Sequence, residues 1–288
     1  MRRAVLAPIL AVLTIASGAA QTDGPRPGVT GVHHVALRIS DAAAARTFYG
    51  GLLGLSEQAP PRQDRLAYAI GHRQHLLLEP GLPAEEEERL GHVALATPDV
   101  KAMAAWLETR GFEILRPADR CGDTTFQVRD PDGHDIEFVR ADWPPAASPA
   151  PASHALSTRL LHAGVIVNDE ARAHGFYRDA LRFSEIWRGG RTPGVTQWVN
   201  MRVPDGTDYF EYMLVTSPPD RRQRGVLHHV CLVVPDIQTA WEETSRRSLR
   251  LGLTPSGPAS IGVNGRWQLN LYDPDGTRVE LMEPFTVR

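Results

Sequence analysis

Four times in this chain a histidine is followed seven residues later by an aspartate, across a hydrophobic stretch. The segments are HVALRISD (His34 to Asp41), HVALATPD (His92 to Asp99), HAGVIVND (His162 to Asp169) and HVCLVVPD (His229 to Asp236). A lone histidine on an apolar strand is ordinarily a hydrogen-bonded core residue. Four in one register indicate four copies of one unit, each aiming an imidazole at a shared site. Metal binding is therefore the leading chemical question.

Each copy opens with an apolar strand around its histidine. The aspartate at its end is placed to cap a helix, since its carboxylate can accept the free N–H groups of a first turn. Helical patterns follow at Ala42 to Leu53, Val100 to Arg110, Glu170 to Leu181 and Ile237 to Ser245, with Phe48, Trp106, Phe176 and Trp241 on their inner faces. Shorter β-type runs come next, among them Thr124 to Val128, Thr196 to Val203 and Arg266 to Tyr272. Asp-Pro-Asp-Gly turns (Asp130 to Gly133 and Asp273 to Gly276), and Val203-Pro-Asp-Gly206 in the third copy, lead into a last strand. The unit is strand, helix, then about three strands. Trp143 to Ser153, rich in proline and alanine, reads as a linker. The expected division is residues 29–142, a linker over 143–158, and residues 159–288, with two units in each half.

The length of 288 residues suits two domains with real cores. A net charge of −3 without a basic cluster argues against a nucleic-acid partner. The run Glu85 to Glu88 reads as a solvated loop. Arg2 and Arg3 precede an apolar stretch from Ala4 to Ala16 and small residues ending at Ala20, the layout of a signal peptide over residues 1–20. The expectation is export to the periplasm or medium, by the Sec or the twin-arginine route, with no stable membrane anchor. The two cysteines, Cys121 and Cys231, fall in different units and indicate no disulfide framework; Cys231 reads as a buried thiol.

The last strands carry one glutamate each within large apolar residues: Glu137 in DIEF, Glu211 in YFEY and Glu280 in RVEL. A carboxylate on a buried strand face is costly unless paired or coordinated. Set beside the in-register histidines, these glutamates are candidate ligands. His33 and His228 should face the other side of their strands, as packing or supporting residues, with His228 a weak candidate acid. His72, His134, His154 and His174 read as surface or turn residues. Trp198, Asn200 and Arg202 share one strand face and could meet an anionic or oxygenated substrate, or form a salt-bridged exterior.

With HVALRISD, FYGGLLGL and the DPDG-x-x-x-E ending, the pattern resembles the vicinal oxygen chelate superfamily of glyoxalase I, extradiol dioxygenases and bleomycin-resistance proteins, over residues ~30–142 and ~159–284. The resemblance implies an α+β fold of four βαβββ modules, paired into two domains with open half-barrel sheets. It implies a main metal site from His162, Glu211, His229 and Glu280, with Glu280 or Glu211 as the catalytic base. His34, His92 and Glu137 form a second candidate site, a two-histidine, one-carboxylate set of the non-haem Fe(II) type. Its fourth slot falls on Leu76 or Leu77 within His75-Leu-Leu-Leu-Glu79; if on Leu77, His75 and Glu79 share that face and could substitute.

The cofactor implied is a divalent ion: Zn, Ni, Fe, Co or Mn. The expected function is that of an exported glyoxalase-like lyase or isomerase, acting on a small vicinal-oxygen substrate through a metal-stabilised enolate. Export disfavours glutathione- or coenzyme A-linked substrates. An Fe(II) extradiol-type dioxygenase is the alternative, against which Ser260 to Leu271 lacks a histidine, although Tyr272 follows. A ligand-sequestering protein without catalysis is the other. The expected partner is a small molecule, with a homodimer an open option.

Overall fold

A computed structural model describes residues 25–60, 64–118, 122–142 and 153–287. The expected signal segment, Cys121 and residues 143–152 of the expected linker lie outside these residues.

Each half of the chain builds one eight-stranded sheet. The first holds β1 (Gly31–Ile39), β2 (Ser56–Gln58), β3 (Leu66–Ile70), β4 (Gln74–Pro80), β5 (Leu90–Thr97), β6 (Ile114–Arg116), β7 (Thr125–Arg129) and β8 (Asp135–Arg140). Their order across the sheet is β2-β3-β4-β1-β5-β8-β7-β6. The second holds β9 (Leu160–Val167), β10 (Ser184–Gly189), β11 (Trp198–Arg202), β12 (Tyr209–Leu214), β13 (His229–Val233), β14 (Ser260–Ile261), β15 (Arg266–Tyr272) and β16 (Arg278–Thr286), in the order β10-β11-β12-β9-β13-β16-β15-β14. In both sheets the first strands of successive units pair antiparallel at the centre, and each pairs parallel with the last strand of its own unit. This is the α+β fold of paired βαβββ units, and both sheets stay open.

The four aspartates cap as their spacing demands. Asp41, Asp99, Asp169 and Asp236 accept backbone N–H groups at the starts of α1 (Ala42–Ala45), α2 (Val100–Glu108), α3 (Glu170–His174) and α5 (Ile237–Leu251). α1 and α3 widen into π-helical turns, Arg46–Leu52 and Gly175–Ala180, that bury Phe48 and Tyr49 in one copy and Phe176 and Tyr177 in the other. α5 runs six residues past Ser245 and stops at Gly252, whose φ of 71° is the left-handed conformation that ends a helix cheaply. α4 (Arg221–Leu227) was invisible to hydrophobic periodicity, being short and basic; a capping box between Asp220 and Gln223 starts it.

Strand alternation sorts core from site. Val35, Leu37, Val165, Phe210, Tyr212, Val279 and Leu281 enter one large core that draws on both halves of the chain. On the same strands the intervening positions hold His34, His162, Glu211 and Glu280, all at most 8% exposed.

Candidate metal centres

Two clusters of ligand-type side chains lie on the non-core faces, one per sheet, each astride the central antiparallel strand pair. In the second sheet His162 Nε2 and His229 Nε2 are 3.0 Å apart. Glu280 Oε2 stands 3.4 Å from His162 Nε2 and 3.8 Å from His229 Nε2; Glu211 Oε2 stands 3.9 and 3.3 Å from the same atoms. The four expected residues are thus brought together. In the first sheet His34 Nε2 and His92 Nε2 are 2.9 Å apart, with Glu137 Oε2 at 3.2 and 3.3 Å.

The fourth slot follows from register. Glu211 pairs with Gly164 on the neighbouring strand, and the corresponding pair in the first sheet is Leu77 with Ala36. Leu77 is buried against Ala36 and Ala67, so an apolar side chain stands where the second site has a carboxylate. His75 and Glu79 do not substitute. The His75 ring lies 5.5 Å from that of His33, away from the donor cluster. Glu79 is ion-paired to Arg65 at 2.8 Å and stays 4.0 Å from His92 Nδ1.

Protonation states suit cation binding, which requires neutral imidazoles and ionised carboxylates. Burial pushes the His34 imidazole down to about 3, only partly opposed by Glu137. Burial, then Arg278 and His162, hold His229 well below its ordinary range. For Glu137 burial alone would raise the carboxyl, but hydrogen bonding with His34 and His92 outweighs it and keeps the group ionised. Glu280 is likewise lowered, burial being overcome by His162 and Arg278.

The outer ring nitrogens are also positioned. His229 Nδ1 donates to the Leu227 carbonyl at 2.8 Å, which leaves the Nε2 lone pair facing the cluster. His34 Nδ1 meets His33 Nδ1 at 2.8 Å. Adjacent residues of a regular strand cannot do this; β1 shifts register between Val32 and His34, and this irregularity turns His33 toward its neighbour. His33 therefore supports His34, as expected of it, but from the same side. Donor types, protonation and positioning all fit a divalent cation at either cluster.

Several residues stand elsewhere than the sequence suggested. His174 is 9% exposed, not at the surface, and lies within a Glu170, His174, Glu185 group whose two carboxylates are paired to Arg188. His134 is in a turn but mostly enclosed, bonded to Asp130 at 2.8 Å and packed edge-on to His228 at 5.0 Å. His228 is fully buried, 3.4 Å from Glu88, and turned away from the ligand cluster. Glu88 itself pairs with Arg224, so the acidic run is not wholly solvated. His72 and His154 are exposed, as read from the sequence. Trp198 and Asn200 face the second site, Asn200 opposite Glu211, whereas Arg202 is exposed at the strand end. Tyr272 is 52% exposed and points no hydroxyl into the site.

Two site residues escaped the sequence reading. Cys231 groups with His162 and Glu280, because two residues beyond His229 on a strand is the same face. Burial and the negative charge of Glu280 and Glu211 keep it a thiol. Gly164 is the other: a Cβ there would run into the His229 imidazole, so the ring occupies space only glycine leaves. Asn270, opposite Glu280, mirrors Asn200 opposite Glu211, and both have a buried amide oxygen without a partner.

Comparison with known proteins agrees with this architecture. A lactoylglutathione lyase of Pseudomonas aeruginosa is 24% identical over 143 residues, covering 38% of this chain and 81% of that protein. Among solved structures, the 2,3-dioxygenase LapB from Pseudomonas sp. KL28 superposes with a TM-score of 0.69 at 14% identity, covering 90% of this chain and 93% of that one. An extradiol ring-cleaving dioxygenase from B. fuscum gives 0.68 at 20% identity, over 90% and 72%. These likenesses show the fold. Residues 31–138 and 159–281, which carry both sheets and both ligand clusters, each match one family, and the chain belongs to the Glyoxalase/Bleomycin resistance protein/Dioxygenase superfamily.

Proposed function

We propose that this chain is a divalent-metal-dependent enzyme, a glyoxalase-like lyase or isomerase, working through the site of His162, Glu211, His229 and Glu280. The observation that carries the reading is the convergence of both carboxylates on both Nε2 atoms, within 3.9 Å, on a buried sheet face. A divalent ion bound there supplies Lewis acidity to substrate oxygens. The imidazoles of His162 and His229 hold their places, the latter through Leu227. Glu211 Oε2 or Glu280 Oε2 takes up a carbon-bound proton and returns it at a neighbouring atom. Buried walls around Cys231 and Tyr209 limit water near that proton.

A second reading attaches to the first sheet. His34, His92 and Glu137 with Leu77 in the fourth slot have the two-histidine, one-carboxylate composition of non-haem Fe(II) oxygen chemistry. For ring cleavage at the second site, the outward Tyr272 and the absence of histidine from 260–271 are unfavourable. We further propose export with cleavage after Ala20, which amino-terminal sequencing of the mature protein tests.

Elemental analysis of purified protein and of its Glu280→Ala variant tests the main reading. One divalent ion per chain, lost in the variant, supports the second-sheet site. Two per chain, one surviving, adds the first-sheet triad. Protein that takes up no ion would sink the enzymatic reading and leave ligand sequestration.

A further inference from the structure

The cavity at the second site, about 230 Å³, is smaller than a drug-sized pocket. Its only acidic linings are the ligands Glu211 and Glu280; its cations are Arg278 and Arg191. A divalent ion would cancel the two carboxylates and leave two guanidinium charges facing the cavity. Neither arginine forms an ion pair with a carboxylate among the described residues. Arg278 is the more telling, because it is part-buried and its Nε has no acceptor. Its Nη2 lies 2.8 and 2.9 Å from the two ring nitrogens of His229. Two such distances place Nη2 over the face of the ring, so Nδ1 still donates to Leu227 and the in-plane lone pair of Nε2 stays turned to the cluster. A guanidinium without an anion in a protein interior is costly.

The first sheet lacks this feature. Two residues before Glu137 stands Asp135, ion-paired to Arg129 at 2.9 Å, where the second sheet has Arg278 two residues before Glu280.

We propose that Arg278 is a specificity residue that holds a substrate carboxylate, and that the second site takes small 2-oxo- or 2-hydroxycarboxylates. The inference rests on the metal-site reading above and names its substrate class. Proximity decides the position of the anion. Because Arg278 reaches within 2.9 Å of His229 Nε2, the group it holds must sit on the carbon next to the one bearing the other chelating oxygen. A remote anion would be out of its reach. A guanidinium edge also matches a carboxylate better than it matches a neutral carbonyl. The indole of Trp198, with Arg191 5.9 Å from its ring centre, walls the same cavity and suits a short, flat ligand.

The test uses the full chain carrying Glu137→Gln, so that Co²⁺ absorption reports the second site alone. Lactate and lactamide, which share the 2-hydroxy group but differ in charge, are titrated against Co²⁺-loaded protein. Comparison is with Arg278→Gln and Arg278→Lys in the same background. Losing a hydrogen bond to a charged group corresponds to a loss of about ten- to hundredfold in affinity. The expectation is that Arg278→Gln weakens lactate by that factor, leaves lactamide within about threefold, and that Arg278→Lys recovers part of the loss. Equal weakening of both ligands, or of neither, overturns the assignment, as does an Arg278→Gln protein that no longer loads Co²⁺. If the parent protein gives no second-site Co²⁺ spectrum, the metal-site reading fails first and this inference with it.

Discussion

The hydroxyl of Tyr49 donates to the carboxylate of Asp273 at 2.8 Å, joining residues 224 apart in sequence and from opposite halves of the chain. A second bond repeats it in reverse: Tyr177 donates to Asp130, also at 2.8 Å. Each tyrosine sits within the π-helical turn of one unit, and each aspartate opens an Asp-Pro-Asp-Gly turn of the opposite half. The two bonds brace the halves symmetrically. The aspartates also accept backbone N–H groups of their own turns, Asp132 and His134 in one, Asp275 and Thr277 in the other.

Removing a brace should cost stability without touching either ligand cluster. Tyr177→Phe and Tyr49→Phe each remove a buried bond to a carboxylate, and each should destabilise by about 1.5–3 kcal/mol. The bonds share no partner, so the double variant should come close to the sum. Urea unfolding of the three variants checks this, and metal content should be unchanged.

The two braces should respond oppositely to pH. Burial pushes the Asp273 carboxyl up to about 6, against the lowering effect of its Thr277 and Tyr49 hydrogen bonds. The folded state therefore holds its proton more tightly than the unfolded one. Stability from this group is full below about pH 4 and falls as pH rises to about 6, by on the order of 2–3 kcal/mol. Asp130 is held below its ordinary value, burial being outweighed by the imidazole of His134. Its contribution is present above about pH 4 and is lost as pH falls further. Buried imidazoles such as His34, held down to about 3, raise stability with pH over the same range. The expected result is therefore that the unfolding free energy of the parent protein declines between pH 4 and 7 relative to that of Asp273→Asn.

Gly164→Ala should empty the second site alone. The added methyl displaces the His229 ring. We expect loss of one divalent ion per chain, with binding by His34, His92 and Glu137 retained. Zn²⁺ titration followed by calorimetry distinguishes this from general unfolding.

Leu77→Glu should have two faces. Without metal, a carboxylate buried against Ala36 and Ala67 should destabilise the fold by several kcal/mol. With Zn²⁺ it supplies a fourth donor, so the metal-dependent rise in Tm should exceed that of the parent protein. Melting curves with and without Zn²⁺ decide it.

Much of this arrangement is legible in the chain. The His-to-Asp spacing of seven announces a strand and then a cap, both local consequences of short-range geometry. The glutamates stand out because ionised groups are rare among such neighbours as Phe210 and Tyr212. What stays hidden depends on pairing between distant segments. Whether Leu76 or Leu77 fills the fourth slot is set by the register of β4 against β1. The turning of His33 toward His34 comes from a local shift against β5. His174 looks like an ordinary polar helical residue until the second sheet closes over it. Nothing local marks Tyr49 and Asp273 as partners, since 224 residues separate them. Cys231 and Arg278 are legible in principle, each two residues from a candidate ligand on the same strand face, but neither a buried thiol nor a strand-edge arginine stands out from its neighbours in sequence.

The common core and the reciprocal tyrosine bonds make the two halves of this chain a pseudo-dimer joined by a covalent tether. Each half carries its own cluster of ligand-type side chains, yet neither can satisfy its buried tyrosine or cover its apolar face alone. Severed between residues 143 and 152, the halves should reassociate when coexpressed. Either half expressed by itself would offer water the surface that its twin now covers.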